Sequence, residues 1–404
     1  MSSGNFRHGI ALPPQRVKKS FADIAQFENF AIPQSSSDAW KSASGGCGRT
    51  EAHAKLAAIG EYLERYAALA FNLPKRKKKD IPGARIDLGE FAFFSNEQMQ
   101  APGFPYTQFM QQDHEYTNVF SLYTNEETWV PAFLVSLDFK QSNPFTTSSG
   151  LACGQTKYQA LLRSLQEIVE RDAFMITWLH GIPGRQVKLG HDYTDEVEAK
   201  HGRVTCIDAT PAYSTHPVAI VTGYVPLRGL KRIALGVACR ETWDEALEKA
   251  FLEWFQGVAF AGVYASYFPN TKFASFADVH SFDDHATYYT FHPEQWAEIP
   301  LLKGRIVDAP KTAGKSAANC DAIKKLLDGL QAHGIRVFYR DLTTPDLRQV
   351  GASTMRALSP DLTPIHFEQK FPFIGGRAKD VTWRYPWARD ITSNFPNPYP
   401  HPLG

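Results

Sequence analysis

The 404-residue sequence has few cysteines, no long hydrophobic run and almost no net charge. Its five cysteines form no CxxC pair, a pattern typical of a reducing compartment rather than of a disulfide-stapled fold. No stretch approaches the roughly 18 consecutive apolar residues of a membrane-spanning helix, and the N-terminus has no apolar signal core. We therefore expect a cytoplasmic protein that spans no membrane.

The charge balance and the apolar content exclude two further classes of protein. The chain carries 43 Lys and Arg against 42 Asp and Glu, whereas sequence-independent nucleic-acid binders need an excess of positive charge. Hydrophobic residues make up 43% of the chain, which is too many for a disordered protein. One basic run, residues 75–79, is either a solvated loop or a docking patch for an acidic partner.

A repeat is the main feature that the sequence does contain. Two segments 106 residues apart are identical at nine of 21 positions without a gap, and a weaker third copy follows. Each copy has the pattern of a turn followed by a helix, because a threonine stands at a suitable N-cap position and no proline interrupts the run after it. The threonines are Thr50, Thr156 and Thr242. The predicted helical segments are residues 47–67, 153–173 and 239–260.

Pairs of acidic or amide residues recur in the same frame of these helices. A single ExxER pair is ordinary salt-bridged helix surface, but its recurrence favours a function. Carboxylates are ligands that Mg²⁺ prefers, so the pairs predict a site for hard cations. An alanine precedes each pair on the same stripe, which indicates that something approaches the helix closely. The paired residues are Glu61, Glu64, Glu167, Glu170, Glu253 and Gln256.

Three cysteines, Cys47, Cys153 and Cys239, occupy the same place in the three turns. A three-thiolate zinc site is one hypothesis for them. The spacing of at least 86 residues and the lack of a CxxC or HxxxH motif favour the other hypothesis, that they are small buried turn residues.

Together these segments resemble the YcaO family. The resemblance implies a single large α+β domain over residues 46–404, after an N-terminal segment of residues 1–45, with mixed and antiparallel sheets packed by helices. The residues agree with that fold class, because amphipathic helical segments alternate with β-rich runs such as residues 128–135 and 219–225. The similar segments are residues 46–65 (GxG through ExxER), 148–173 (SSGLACGQT through ERDA), 340–346 (RDLTTPD), 359–364 (SPDLTP) and 396–402 (PNPYPHP).

Members of this family use ATP and Mg²⁺ to activate amide backbones, so the resemblance implies an ATP-dependent cyclodehydratase. A Cys, Ser or Thr side chain of a ribosomally made peptide would attack the preceding amide carbonyl. Phosphorylation of the resulting oxygen would let it leave as phosphate and give a thiazoline or oxazoline ring. The residues that would hold Mg²⁺ by this resemblance are Glu61, Glu64, Glu167 and Glu170. The nucleotide would also lie near Gln155, Gln159, Glu253 and Gln256.

The proline-rich tail, residues 394–404, matches the PxPxP signature of the family's cyclodehydratase branch. A stiff polyproline segment could carry the chain terminus or His401 into the site, where the chemistry requires a proton acceptor. We therefore expect His401, Pro402 and Gly404 at the catalytic centre. The alternative is an exposed, frayed tail.

In this family separate proteins carry out the steps of the modification, so the resemblance implies several partners for this chain. They are a precursor peptide as substrate, an E1-like protein that recognises the precursor, and an FMN-dependent dehydrogenase that oxidises azolines. Within such a complex we expect the chain to form a homo-oligomer, and we expect no nucleic-acid partner.

Other functions remain open from the sequence alone. Residues 309–316 fit a relaxed Walker A pattern that includes Lys315, although the first glycine is missing, so a P-loop NTPase is one alternative. A non-catalytic scaffold is another, and thioamide or macroamidine formation would use the same ATP site. Residues 268–298 are rich in aromatic residues and histidine without clear periodicity, and we expect a surface excursion there.

Overall fold

The computed structural model describes residues 10–21, 23–33, 42–137, 143, 145–391 and 394–404. Its strands are β1 (Gln15–Arg16), β2 (Glu28–Pro33), β3 (Ser42–Gly48), β4 (Arg76–Lys77), β5 (Glu115–Ser121), β6 (Glu127–Pro131), β7 (Leu151–Gly154), β8 (Arg185–Val187), β9 (Arg203–Asp208), β10 (Val218–Leu227), β11 (Leu230–Cys239), β12 (Ile306–Val307), β13 (Phe338–Asp341) and β14 (Ser353–Leu358). Its helices are α1 (Glu51–Ala70), α2 (Asn96–Gln100), α3 (Thr107–Gln111), α4 (Lys157–Leu179), α5 (His191–Ala199), α6 (Trp243–Tyr267), α7 (Phe282–Phe291), α8 (Pro293–Trp296), α9 (Asn319–Ala332), α10 (Pro345–Gln349) and α11 (Val381–Arg384).

The strands form three sheets of almost entirely antiparallel pairs. The first has the order β1-β2-β3, the second β4-β5-β13-β14-β7 with β6 paired to β5, and the third β11-β10-β9-β8-β12. Strands β8 and β12 pair in parallel. Helices pack against these sheets, so the α+β class expected from the sequence, with mixed and antiparallel sheets packed by helices, is confirmed.

Each sheet contributes one strand that leads through a turn into a long helix. These strand–turn–helix units are β3–α1, β7–α4 and β11–α6, and they correspond to the three sequence repeats. The predicted N-caps are confirmed in all three. The Oγ1 of Thr50 accepts from His53 N at 3.2 Å, that of Thr156 from Gln159 N at 3.1 Å, and that of Thr242 from Glu245 N at 3.3 Å.

The small residues on the helices are explained by the strand of the same unit. A Cβ placed on Gly46 of β3 would lie 2.2 Å from the backbone nitrogen of Ala58 in α1. A Cβ on Gly236 of β11 would lie 2.1 Å from the carbonyl oxygen of Ala250 in α6. The alanines are therefore the side of the helix that meets its own strand, and the glutamates are free to line another surface.

The three units contact one another in a closed cycle. Helix α1 packs on β7 of the second unit, α4 packs on β11 of the third, and α6 packs on β3 of the first. Because each helix joins the next unit's strand, the three sheets and their helices form one continuous structure. The predicted boundary between residues 45 and 46 falls inside β3 and stays a prediction.

The third sheet is buried on both faces. Along β10, Val218 and Ile220 belong to the core shared with α4 and α9, whereas Ala219 and Val221 belong to the core under α6. Successive strand residues point to opposite faces, so a sheet covered by helices on both sides reads as a continuous apolar run. This is why the β-rich pattern over residues 219–225 was clear in the sequence.

The expectation of a surface excursion over residues 268–298 fits residues 268–281, which are mostly exposed, but it is wrong for the helix that follows. Helix α7 lies in this stretch and packs on β11, and its His285, Tyr288 and Tyr289 are buried. The buried face is polar and aromatic rather than aliphatic, which hid its helical period. Polar side chains of this face form hydrogen bonds with the C-terminal tail. For example, the Tyr289 hydroxyl donates to the Pro400 carbonyl at 2.7 Å. Among the described residues, no helix is long and apolar enough to cross a membrane.

Candidate active site

A large cavity lies where the three strand–turn–helix units meet. Its volume is about 1050 Å³, and helices α1, α4 and α6 each present an acidic pair or an acid–amide pair to it. The structure thus brings together the six paired residues from the repeats. They are Glu61, Glu64, Glu167, Glu170, Glu253 and Gln256.

The first unit contributes Glu61 and Glu64, one helical turn apart on α1. Glu61 accepts the Gly45 N–H at 2.8 Å and forms an ion pair with Arg65 at 2.6 Å. Burial raises the pKa of Glu64 well above its usual range, and the negative charges of Glu167 and Glu61 raise it further. The Glu64 carboxyl is therefore short of positive charge.

The second unit contributes Glu167 and Glu170 from α4. Glu170 accepts the backbone N–H of Cys239 at 3.1 Å, which ties α4 to the strand of the third unit. Burial, followed by the charge of Glu253, raises the pKa of Glu170 to about 8. Burial also raises the pKa of Glu167, although Arg171, whose Nη2 lies 3.7 Å from its Oε1, acts in the opposite direction.

The third unit contributes Glu253 and Gln256 from α6. Glu253 forms an ion pair with Lys249 at 3.0 Å. Gln256 lies against β3 of the first unit, where a Cβ on Gly45 would come 2.8 Å from its Nε2. A larger residue at position 45 would therefore push the flexible Gln256 amide aside, whereas the backbone approach of α1 requires glycine at the next position, Gly46.

Basic side chains complete the wall, and most of them had no clear signal in the sequence. Arg65 and Arg171 follow the glutamate pairs and were part of the repeat. Arg356 comes from β14, lies beside Glu167 and Glu64, and is almost fully buried, so burial lowers the pKa of its guanidinium to about 10. The cations that line the cavity itself include Arg65, Arg163, Arg171, Arg240 and Lys249.

This arrangement fits both a hard cation and a phosphorylated ligand. Burial raises the carboxyl pKa values most, and repulsion between neighbouring glutamates adds to the effect. A divalent cation would stabilise the charged carboxylates. The carboxylates are distributed along the wall, which suits Mg²⁺ ions that keep water and phosphate oxygens as further ligands. Arginine and lysine side chains bind phosphate oxygens, and the volume is ample for a nucleotide.

Two predicted nucleotide contacts are not brought to the cavity. Gln155 and Gln159 lie at the entrance to α4, where the Gln159 side-chain carbonyl accepts the Gln155 N–H at 2.8 Å. Neither residue lines the cavity. The Gln159 side chain instead satisfies a backbone donor at the start of the helix.

The tail reaches the cavity, but His401 does not line it. Pro402, Leu403 and Gly404 form part of the wall. His401 is fully buried one residue earlier, with its Nε2 bonded to the His366 carbonyl at 2.6 Å. The tail is firmly docked rather than frayed, since Asn397 N donates to the Leu179 carbonyl at 2.7 Å. Catalytic roles for His401, Pro402 and Gly404 stay predictions, and the geometry brings only the last two to the cavity.

The Walker-like segment has a different environment from a phosphate loop. The Ser316 N–H donates to the Glu241 carboxylate at 2.8 Å, and Lys315 pairs with Glu245. A carboxylate therefore occupies the place where a phosphate-binding loop would present free amides. Two residues of the basic run form ion pairs, since Lys78 lies 2.9 Å from Asp87 and Lys75 lies 3.5 Å from Glu115.

The three turn cysteines remain thiols. Cys47 and Cys239 are buried, and Cys153 is partly buried. Burial raises the pKa of the Cys153 thiol to about 11, which disfavours the thiolate that zinc needs. Within the residues that the structure describes, these cysteines belong to no cluster of metal-ligating side chains.

The sequence matches a family model and one curated protein. Residues 45–363 match the family model described as YcaO cyclodehydratase, ATP- and Mg²⁺-binding. An uncharacterized protein of Methanothermobacter thermautotrophicus is 25% identical over 281 residues, which cover 61% of this chain and 70% of that protein.

Solved structures share the fold. A heterocyclase in complex with substrate and cofactor superposes with a TM-score of 0.73 at 19% identity, over 97% of this chain and 55% of that one, so the present chain spans about half of its length. YcaO from Methanopyrus kandleri, bound with AMPPCP and Mg²⁺, superposes with a TM-score of 0.65 at 16% identity. The match covers 87% of this chain and 86% of that one. A chain of the E. coli microcin synthetase McbBCD complex superposes with a TM-score of 0.61 at 15% identity, over 89% of this chain and 90% of that one.

Proposed function

The chain belongs to the YcaO family, and on that premise we propose that it is an ATP-dependent cyclodehydratase that forms thiazoline or oxazoline rings in a ribosomally made precursor peptide. ATP and Mg²⁺ are the cofactors of this family. One observation carries the proposal for this chain. The paired residues of all three repeats meet at a single cavity, where burial and neighbouring carboxylates raise the pKa of Glu64 and Glu170.

In this proposal some residues that line the cavity bind Mg²⁺ and others contact the nucleotide. Glu61, Glu64, Glu167 and Glu170 would hold Mg²⁺, since carboxylates are its preferred protein ligands. Glu253 and Gln256 would lie beside the nucleotide, together with the basic side chains. Gln155 and Gln159 lie outside the wall, so the proposal assigns them no contact.

The residues of the chain act mainly by positioning and by neutralising charge. ATP, when bound, supplies the phosphoryl group that turns the amide oxygen into a leaving group. Arg163, Arg171 and Arg240 stand where they can neutralise phosphate oxygens, and such positioning accounts for most of the catalysis of phosphoryl transfer. Pro402 and Gly404 would border the peptide, because they line the same cavity.

We further propose that the chain works with partner proteins. The McbBCD synthetase, which shares the fold, is a complex of several proteins and has also been solved with pro-MccB17 bound. By analogy a precursor peptide would be the substrate, an E1-like protein would present it, and an FMN-dependent dehydrogenase would oxidise the azolines. A homo-oligomer within that complex belongs to the same proposal.

The test is loss of water from a matched precursor in the presence of ATP and Mg²⁺, followed by mass spectrometry. Glu61→Ala and Glu170→Ala should each abolish ring formation, because each removes a ligand from the cavity. Glu198→Ala, which changes an exposed glutamate on α5, should be fully active. Full activity in either cavity variant would overturn the assignment of the site.

The same experiment separates the proposal from its alternatives. A thioamide or macroamidine product would differ in mass and in its need for a sulfur donor or an amine, while the dependence on Glu170 would remain. A non-catalytic scaffold would support the complex without any ATP-dependent change in mass. The assembly of all six paired residues at one cavity argues against that scaffold.

A further inference from the structure

Three histidines from separate parts of the chain meet behind the cavity. His285 belongs to α7, His366 follows the 359–364 segment, and His401 precedes the end of the tail. All three are almost fully buried, at 0%, 2% and 0% exposure. One ring nitrogen from each lies within 4.8 Å of those of the other two. Sequence alone gave no reason to connect them.

Backbone carbonyls fix the tautomers of two of these rings. His285 Nδ1 lies 2.8 Å from the His401 carbonyl oxygen, and His401 Nε2 lies 2.6 Å from the His366 carbonyl oxygen. A carbonyl can only accept, so each of these nitrogens carries the proton. The opposite nitrogen of each ring then carries a lone pair. Metal-binding histidines are commonly oriented by this kind of hydrogen bond.

The remaining ring nitrogens make no hydrogen bond of normal geometry, although the Gln369 side chain lies close to His366 and the Phe367 backbone lies close to His285. These nitrogens are His285 Nε2, His401 Nδ1 and both nitrogens of His366. Leaving a buried polar atom unpaired is unfavourable, so a cluster of four such atoms needs an explanation. All three rings are buried away from water, which disfavours the charged imidazolium form.

We propose that His285, His366 and His401 bind a divalent transition-metal ion of the Zn²⁺ type. Neutral imidazole is a ligand that Zn²⁺ favours, and three such ligands leave one position of a tetrahedral site for water. The rings of His285 and His401 are stacked, with centroids 3.7 Å apart and an interplanar angle of 4°. In-plane lone pairs of two parallel rings do not meet at one point, so one of these two rings must rotate and give up its hydrogen bond to a backbone carbonyl when the ion binds.

The site would fix the tail at the active cavity. His401 is followed directly by Pro402, Leu403 and Gly404, which line that cavity. An ion held by His401, His285 and His366 would join the tail to α7 and to the segment after the 359–364 motif. The site is distinct from the glutamate wall, because it offers nitrogen ligands in place of oxygen ligands. This inference does not depend on the proposed activity.

The experiment measures metal content and metal-dependent stability in the full chain. The exposed thiol of Cys320 is first replaced by alanine to remove an adventitious ligand. After refolding with Zn²⁺ and gel filtration, we expect about one Zn²⁺ per chain by elemental analysis. The thermal midpoint should rise by several degrees relative to the metal-free chain, and Co²⁺ should give the absorption spectrum of a tetrahedral nitrogen site.

His366→Phe is the informative variant, because it keeps an aromatic ring and the backbone carbonyl that orients His401. It should lose the bound Zn²⁺ and the metal-dependent rise in midpoint. The matched control is His333→Phe, at a partly exposed histidine on the C-cap of α9, which should keep both. A wild-type chain that folds without retaining Zn²⁺, Co²⁺ or Ni²⁺ and shows no metal-dependent midpoint would overturn the proposal, as would unchanged metal binding in His366→Phe.

Discussion

Two neighbouring acidic residues on α4 have opposite electrostatic environments. Asp172 is fully buried, and its carboxylate accepts from the Arg384 guanidinium at 2.7 and 2.8 Å, from Tyr213 at 2.5 Å and from the Thr363 backbone at 2.7 Å. Glu170 lies two residues earlier and faces the cavity. Its pKa is raised to about 8, first by burial and then by Glu253. One carboxylate is fully paired and the other is not.

The difference separates a structural charge from a functional one. The Asp172 pair joins α4 to α11 and leaves no room for a ligand. Arg171 and Arg240 only partly offset the burial of Glu170, so its carboxyl group can still gain from a bound cation. Groups with strongly shifted pKa values in a cleft are candidates for function, and a saturated buried ion pair is not. The ERDA motif contains both kinds of residue and does not distinguish them.

The largest expected effect on stability is that of Asp172→Asn. Removing this charge leaves the Arg384 guanidinium buried without a partner, so the free energy of unfolding should fall by about 3–5 kcal/mol. Chemical denaturation followed by circular dichroism would measure it. A loss of less than ~1 kcal/mol would mean that the pair is solvated or dispensable.

Glu170→Gln is the corresponding variant at the incompletely paired carboxyl group. A carboxyl group whose folded pKa lies above its unfolded value destabilises the fold as pH rises from about 4.5 to about 8, because the folded state holds its proton more tightly. Glutamine cannot ionise, so stability at pH 8 in the absence of metal should be unchanged or higher. Marked destabilisation by Glu170→Gln would show that Glu170 is structural as well.

The next effect concerns the pH dependence of Mg²⁺ binding. A carboxyl group binds Mg²⁺ when deprotonated, so Mg²⁺ affinity should weaken as pH falls through about 8, by up to about tenfold per pH unit. Calorimetric titration of a non-hydrolysable ATP analogue at several Mg²⁺ concentrations would measure this. In Glu170→Gln the slope should be shallower, and an unchanged slope would assign the proton to another residue.

A smaller effect is expected at the helix entrances. Thr156→Ala removes the acceptor for the Gln159 N–H, which should lower the free energy of unfolding by about 1 kcal/mol. Thr50→Ala and Thr242→Ala should behave alike, since their caps have the same geometry. Thermal unfolding of the three variants would test this, and a much larger loss at Thr156 alone would indicate that the turn also shapes the cavity.

The smallest effect is expected from Lys315→Ala. Lys315 is exposed and pairs with Glu245 at the surface, so its loss should change stability by less than about 1 kcal/mol and leave nucleotide binding intact. Fluorescence titration with a labelled nucleotide would check the binding. Loss of binding here, with retention in Glu170→Ala, would favour the P-loop alternative.

Several features of the site could be predicted from the sequence. The threonine caps and the glutamate pairs depend on residues three or four positions apart, which local helix geometry brings together. The recurrence of that pattern indicated one shared site, and the six paired residues do meet there. The β-rich run over residues 219–225 was equally clear, because both of its faces are apolar.

Other features could not be predicted. Arg356 reaches Glu167 only through the pairing of β14 with β7, and nothing local marks it as part of the site. The family resemblance placed Gln155 and Gln159 near the nucleotide, but they bond to each other at a helix entrance. The buried face of α7 is polar, so the sequence shows no apolar residues at helical spacing there. Its burial depends on hydrogen bonds to the tail, which only the tertiary structure brings close.

The sequence by itself determined the elements, their caps and the type of charge at the site, because these depend on neighbours along the chain. Only the tertiary structure decided which charges are paired. Arg384 reaches Asp172 from 212 residues away, while Arg171 and Arg240 offset the burial of Glu170 only in part. Burial and distance set the energy of a charge, and both are created when remote segments pack together.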